Sequence, residues 1–405
     1  MGRAALPLLL ALAGTACTKG EYTDYYPESP GSSYEGVADD GYREGDVPSS
    51  PNGGEGNNPG GAAGVLTAAE WNDLDNWDFW SKLIRNQQWV NDAYLWGFNT
   101  TARVAVKLVD AQGAPAVNVP VALYRSQNLL WETRTDNTGE ANLWANFVYE
   151  EGRLVDVDNL TVSVNGMVQP GEPLVSSSEG VNWNEYTVSK YSAPDDKADI
   201  AFIVDATGSM MDEIDFLKED LLNILEKVQQ HQTAVEIRTG AVFYRDEGDD
   251  YVTRSNDFNT NASKTMDFIK KQEAAGGGDL PEAVHTALET SLQELKWNST
   301  ARARIAFLIL DAPAHGDRVS VMESLHKSIP EFAKMGIRII PVLASTADKS
   351  TEFMCRYFAI ATSGTYVFLT DDSGVGNSHL EPSVGEYQVE KLNDLLVRLI
   401  EEYIG

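Results

Sequence analysis

Ile305-Ala306-Phe307-Leu308-Ile309-Leu310 runs without a polar residue straight into Asp311-Ala312-Pro313-Ala314-His315-Gly316. Six consecutive apolar residues bounded by a turn-forming stretch need cover on both faces, which a parallel sheet flanked by helices provides. Working outward, similar strands are expected over 199–205, 235–244, 337–343 and 364–369, with a short one near 251–254. Helical periodicity fills the gaps, over 210–230, 262–272, 281–295, 320–334, 350–360 and 386–403. Residues 196–405 therefore read as a doubly wound α/β domain.

In such folds, ligands bind beyond the carboxyl ends of the strands. Three polar loops fall there. The first, Asp205-Ala206-Thr207-Gly208-Ser209, places a carboxylate and two hydroxyls on one tight turn. Ser209 also reads as the N-cap of the following helix, with Asp212 closing a capping box. The second loop is Gly276-Gly277-Gly278-Asp279-Leu280-Pro281-Glu282, and the third opens on Asp311. Oxygen donors of mixed charge suit a hard cation, Mg²⁺ or else Mn²⁺ or Ca²⁺. Asp279, followed by Pro281 and Glu282, reads both as an oxygen donor and as a helix cap. Asp246 in Tyr244-Arg245-Asp246 is a candidate for orienting a ligand, or a partner for Arg245. His315 is a soft donor in an all-oxygen site and reads as a loop-packing or supporting residue.

The three loops in this order resemble a von Willebrand factor A (VWA) domain with its metal-ion-dependent adhesion site (MIDAS), over about residues 198 to 403. The resemblance is nearest to the divergent A domains found beside atypical kinases and in bacterial surface proteins, although no kinase segment accompanies it here. It implies a Rossmann-like fold, metal ligation by Thr207 and Ser209, and water-mediated or direct contacts from Asp205 and Asp311. Asp279 stands where many such domains have a threonine. The resemblance implies binding to a protein ligand, through a partner's acidic residue at the metal. A third carboxylate would weaken the pull on that acidic group while strengthening the hold on the ion.

Residues 66–195 differ in texture. Leu74, Trp77, Trp80, Leu83 and Ile84 recur at helical spacing, and this short aromatic-rich helix is expected to pack on the next domain. From Thr101 the pattern becomes alternating, with strands at Val104–Leu108, Val119–Tyr124, Leu130–Thr135, Ala141–Phe147, Leu160–Val164 and Tyr186–Val188. Asp110-x-x-Gly-x-Pro115 and Thr135-Asp136-x-x-Gly139 resemble transthyretin-like or carboxypeptidase-regulatory-like modules, which implies a small β-sandwich that positions other domains.

Residues 1–16 read as a signal peptide, because the apolar run from Ala4 to Ala13 is too short to span a membrane. The small residues before Cys17 resemble a bacterial lipoprotein processing site. Lipidation of Cys17 then implies a membrane-anchored protein of the cell envelope, at the outer membrane, facing the periplasm or the outside. Residues 17–65, rich in Gly, Pro, Ser and acidic residues, read as the lipidated cysteine and a disordered acidic tether. Cys355 is the other cysteine and reads as a buried small hydrophobe. The net charge of −30 argues against nucleic acid as a partner, and no stretch of the sequence resembles the basic patch that phosphate binding needs. No nucleophile–base pair stands out, so a binding protein is expected and not an enzyme. The alternatives are a metal-assisted hydrolase and a structural lipoprotein with a vestigial site.

Overall fold

The computed structural model describes residues 63–148, 156–231, 234–278 and 280–405. The expected signal peptide, Cys17, nearly all of the expected tether and Asp279 lie outside the described residues. No described helix is long and apolar enough to cross a membrane.

In chain order, β1 (Thr67–Trp71), α1 (Trp77–Leu83) and α2 (Gln87–Trp96) come first. Then follow β2 (Arg103–Asp110), β3 (Pro120–Arg125), β4 (Asn128–Arg134), β5 (Glu140–Trp144), β6 (Leu160–Val164), β7 (Met167–Val168) and β8 (Trp183–Val188). The remainder is β9 (Asp195–Asp205), α3 (Ile214–His231), β10 (Glu236–Tyr244), β11 (Thr253–Asn259), α4 (Ala262–Ile269), α5 (Val284–Gln293) and β12 (Ala301–Leu310). It ends with α6 (Val319–Met335), β13 (Arg338–Leu343), α7 (Lys349–Thr362), β14 (Tyr366–Leu369), β15 (Glu390–Lys391) and α8 (Leu392–Ile404).

The large sheet has the order β11-β10-β9-β12-β13-β14-β1-β15. Pairing is parallel from β10 to β14 and antiparallel at β11, β1 and β15. Alternation along each parallel strand divides the core in two. Ala201, Ile203, Ala306 and Leu308 share one core with Leu288 of α5, Leu325 of α6 and Phe358 of α7. Ile200, Phe202, Ile305 and Phe307 face the other, with Leu217 and Leu221 of α3 and Leu396 of α8. The Phe202 and Phe307 rings stack there at 5.6 Å. The strand order reverses direction between β9 and its neighbour β12, so a crevice opens beyond their carboxyl ends.

The expected boundary at 195/196 needs correcting in one respect. β1, read from sequence as part of the aromatic segment, pairs with β14 and joins the large sheet. Its neighbours α1 and α2 pack on α7, where Trp80 and Phe98 meet Tyr357 and Trp89 meets Phe353. The intervening strands form a three-stranded sheet, β5-β2-β8, and a four-stranded one, β4-β3-β6-β7. Val104, Leu123 and Leu143 from these sheets lie in the same apolar core as Leu325 and Phe358. Cys355 is buried within α7, and burial pushes its thiol well above the ordinary range, which keeps it protonated.

Candidate metal centre at the carboxyl edge of the sheet

Backbone hydrogen bonds zip the three loops together. Ala206 N–H donates to the Tyr244 carbonyl at the end of β10 (2.8 Å), and Ala275 N–H donates back to the Ala206 carbonyl (3.0 Å). Gly208 N–H donates to Gly276 O (3.1 Å), and Glu282 N–H to Pro313 O (2.8 Å). Asp249 Oδ2 accepts from Gly277 N–H at 2.9 Å and from Asp246 N–H at 3.2 Å. The glycine run is needed for this docking. Gly276 and Gly277 have φ of +81° and +71°, and a Cβ on Gly276 would sit 2.3 Å from Asp249 Oδ1.

Asp205 ends β9 fully buried; its Oδ1 accepts from Thr207 N–H (2.8 Å) and from the Thr207 hydroxyl (2.7 Å). The Thr207 and Ser209 hydroxyls lie 3.1 Å apart. Ser209 is not a helix N-cap. It sits inside a 3₁₀ turn, Gly208–Asp212, which starts the helical segment before α3, and this directs its hydroxyl toward Thr207. Asp311, also buried, accepts from the Thr346 hydroxyl at 3.3 Å through Oδ2. Asp205 Oδ2 and Asp311 Oδ1 have no hydrogen-bond partner among the described residues.

Glu282 is the residue that sequence reasoning missed at this edge. α5 starts at Val284 with Ala283 at its N-cap position, so Glu282 lies ahead of the helix and does not close a capping box on it. Glu282 instead bridges to the third loop beside Ala314, is 2% exposed, and leaves Oε2 unpartnered. Ser209, Gly276, Gly277, Glu282, Asp311 and Thr346 are among the residues lining one small cavity of about 70 Å³. The Asp-x-Pro-Glu spacing next to a glycine run carried the signal, but it matches a helix start equally well.

Burial is the first influence on each of these acids. Burial, then the Asp311 charge, raises Asp205 above the usual carboxylate range, and burial raises Asp311. Burial together with Asp205, Asp246 and Asp311 pushes Glu282 up to about 9. Tyr244, the register partner of Asp205 on β10, holds its proton far above the usual phenol range through burial and the same charges. Crowded buried carboxylates with unpartnered oxygens are costly unless a cation compensates them. The donor set is oxygen throughout, which fits a hard divalent ion. Among the described residues no three His, Cys, Asp or Glu side chains cluster tightly enough to hold one alone, so the hydroxyls of Thr207 and Ser209 are essential to the fit.

Asp246 and His315 meet at this edge, His315 Nε2 lying 2.8 Å from Asp246 Oδ1, and both are buried. Arg245 is not the partner of Asp246: its guanidinium donates to Ala206 O and Glu273 O and covers the Tyr251 ring at 4.5 Å. Asp246 thus fixes the third loop through His315, and its backbone N–H shares the Asp249 carboxylate with Gly277 N–H of the second loop.

Residues 199–374 match the family model of the von Willebrand factor A domain. The chain is 27% identical over 217 residues to an alpha-protein kinase, vwkA, of Dictyostelium discoideum, covering 51% of this chain and 33% of the relative. It is 35% identical over 117 residues to a putative ariadne-like RING finger protein, R811, of Acanthamoeba polyphaga mimivirus, covering 29% of this chain and 11% of that one. The chain thus spans a third or less of the length of these curated relatives. The crystal structure of the conserved hypothetical protein BatB from Bacteroides thetaiotaomicron is 10% identical with a TM-score of 0.35, covering 51% of this chain and 98% of that one. The likeness to the von Willebrand factor A domain thus lies over residues 199–374, fewer than half of the chain's 405.

Proposed function

We propose that this chain is a binding protein whose VWA domain engages a protein ligand through a divalent cation at the carboxyl edge of the large sheet. The observation that carries the reading is the pair of buried, unpartnered oxygens, Asp205 Oδ2 and Asp311 Oδ1, beside two hydroxyls at the switch between β9 and β12. Asp205, Thr207, Ser209 and Asp311 would hold Mg²⁺ or Mn²⁺, with the Glu282 carboxyl lining the same cavity. A bound ion there offers a Lewis-acidic position to an oxygen of the partner. Asp279 is proposed as a further donor, on the sequence of its loop.

A binding role is favoured over hydrolysis by the use made of His315. It is buried, which suits holding a loop better than reaching a substrate to take a proton. Anchoring at a bacterial envelope through lipidated Cys17 is part of the proposal and rests on the sequence around that cysteine. Its check is mass spectrometry of the membrane-extracted protein, where an unmodified N-terminus elsewhere would exclude it.

The functional test is capture of partners by the full chain from envelope extracts, with Mg²⁺ and with chelator, beside an Asp205→Asn, Asp311→Asn double variant. A partner retained only by the unaltered chain with Mg²⁺ is expected. Partners held equally with chelator, or by the variant, would refute metal-dependent recognition.

A further inference from the structure

The outer face of the four-stranded sheet turns toward the VWA domain without closing on it. Pro120, Ala122 and Tyr124 of β3 lie beside Arg134 and Glu132 of β4 and Ser163 of β6, by strand register on a common face. Opposite them stand Trp297, Ser299, Arg304 and the end of α6 at Lys334, and a cleft of about 310 Å³ remains. That volume suits a small molecule.

The charge around this cleft is opposite to that of the chain. Arg134, Arg304 and Lys334 line it against one carboxylate, Glu132, in a protein of net charge −30. Arg304 is 2% exposed, and its hydrogen bonds all go to neutral oxygens: Met335 O, Asn298 O, Ala301 O and Asn118 Oδ1. Arg134 likewise donates to Asn118, at its carbonyl (2.9 Å) and its amide oxygen (3.4 Å). Asn118 holds a left-handed backbone, φ +59°, and its amide oxygen serves both guanidiniums. Burial and the neighbouring Arg134 and Arg338 depress Arg304 to about 9, against the opposing charge of Asp199, while Lys334 pairs with Glu331 at 3.3 Å. A guanidinium carries five donors, and Arg304 uses four in these bonds.

The geometry points to this cleft as a binding site for a small organic anion, with a carboxylate or phosphate head between Arg134, Arg304 and Lys334 and an apolar body against Trp297, Tyr124 and Pro120. Fork-shaped guanidiniums select planar or tetrahedral oxyanions. The site is separate from the metal edge and independent of it.

The test is calorimetric titration of the metal-stripped full chain, in buffer free of chelator, with phenyl phosphate, benzoate and phenol. One or both anions should saturate a single site, and phenol should bind at least about tenfold more weakly. The anion that binds tells phosphate from carboxylate. Lys334→Gln and Arg134→Gln should each weaken binding, the latter by about tenfold, with the melting temperature of the free protein retained. Glu132→Gln should tighten binding several-fold, which misfolding cannot mimic. Asp205→Asn, Asp311→Asn should leave it unchanged. No saturable heat with either anion at millimolar concentration, or binding indifferent to Arg134, Lys334 and Glu132, would overturn the assignment.

Discussion

Two buried clusters of carboxylates, one at the carboxyl edge of the large sheet and one under α1 and α2, show what compensation does. At the second, Arg356 forks onto Asp73 (2.5 and 2.8 Å) and reaches Glu352 at 3.1 Å, while Lys349 takes the other Glu352 oxygen at 2.8 Å. Both oxygens of Asp73 and Glu352 are used, and the Arg356 guanidinium lies 5.1 Å from the ring centroids of both Trp80 and Trp89. Two acids meet two cations. At the carboxyl edge of the sheet Asp205, Asp311 and Glu282 are equally buried, yet each has an unpartnered oxygen, and burial raises all three, with acidic neighbours adding to the rise at Asp205 and Glu282. The same side-chain type in the same degree of burial is finished as structure in one place and left open in the other. An open, anionic, water-poor edge is what binding an external cation requires.

The comparison breaks most severely at Arg356. Arg356→Met strands Asp73 and Glu352 without their cation and should cost about 3–5 kcal/mol in urea denaturation, by the same amount with Mg²⁺ or without it. A loss that Mg²⁺ restores would mean that the two clusters are not independent.

Glu282 gives the opposite sign. Its folded pKa of about 9 stands above its ordinary 4.5, so its contribution to stability is complete below 4.5 and is lost as pH rises through 9. Raised Asp205 and Asp311 act in the same direction. The metal-free chain should therefore weaken between about pH 5 and 9, and Glu282→Gln should flatten that decline. At pH 8 this variant should be more stable than the unaltered chain by about 1–3 kcal/mol in metal-free melts. A Glu282→Gln protein that melts earlier at pH 8, with the pH dependence intact, would show that Glu282 is satisfied as it stands.

Asp246 offers the smallest effect. Asp246→Asn keeps a polar contact with His315 and removes a charge, so stability should change by about 0.5–1.5 kcal/mol. Ion affinity should fall only through looser loops. Complete loss of ion binding would place Asp246 among the ligands.

Much of this was legible in sequence. Ile305–Leu310 needs two covered faces, so the parallel sheet and its carboxyl edge follow, and with them Asp205 and Asp311. β1 was not legible, because Thr67–Trp71 carries no strict alternation and acquires its role only from pairing with β14. The Arg356–Asp73 bridge joins residues 283 positions apart, and nothing local announces it. Glu282 was hidden by ambiguity: Pro281-Glu282 fits a helix start, and only the bridge to the third loop decides otherwise.

Calorimetric titration of Mg²⁺ and Mn²⁺ into the full chain, beside the Asp205→Asn, Asp311→Asn variant, tests the central claim most directly. The uncompensated edge predicts one saturable site in the unaltered chain, none in the variant, and no loss of that site in Arg356→Lys, which keeps the balanced cluster charged. Absence of a saturable site for either ion in the folded chain, or an equal site in the double variant, would contradict the account.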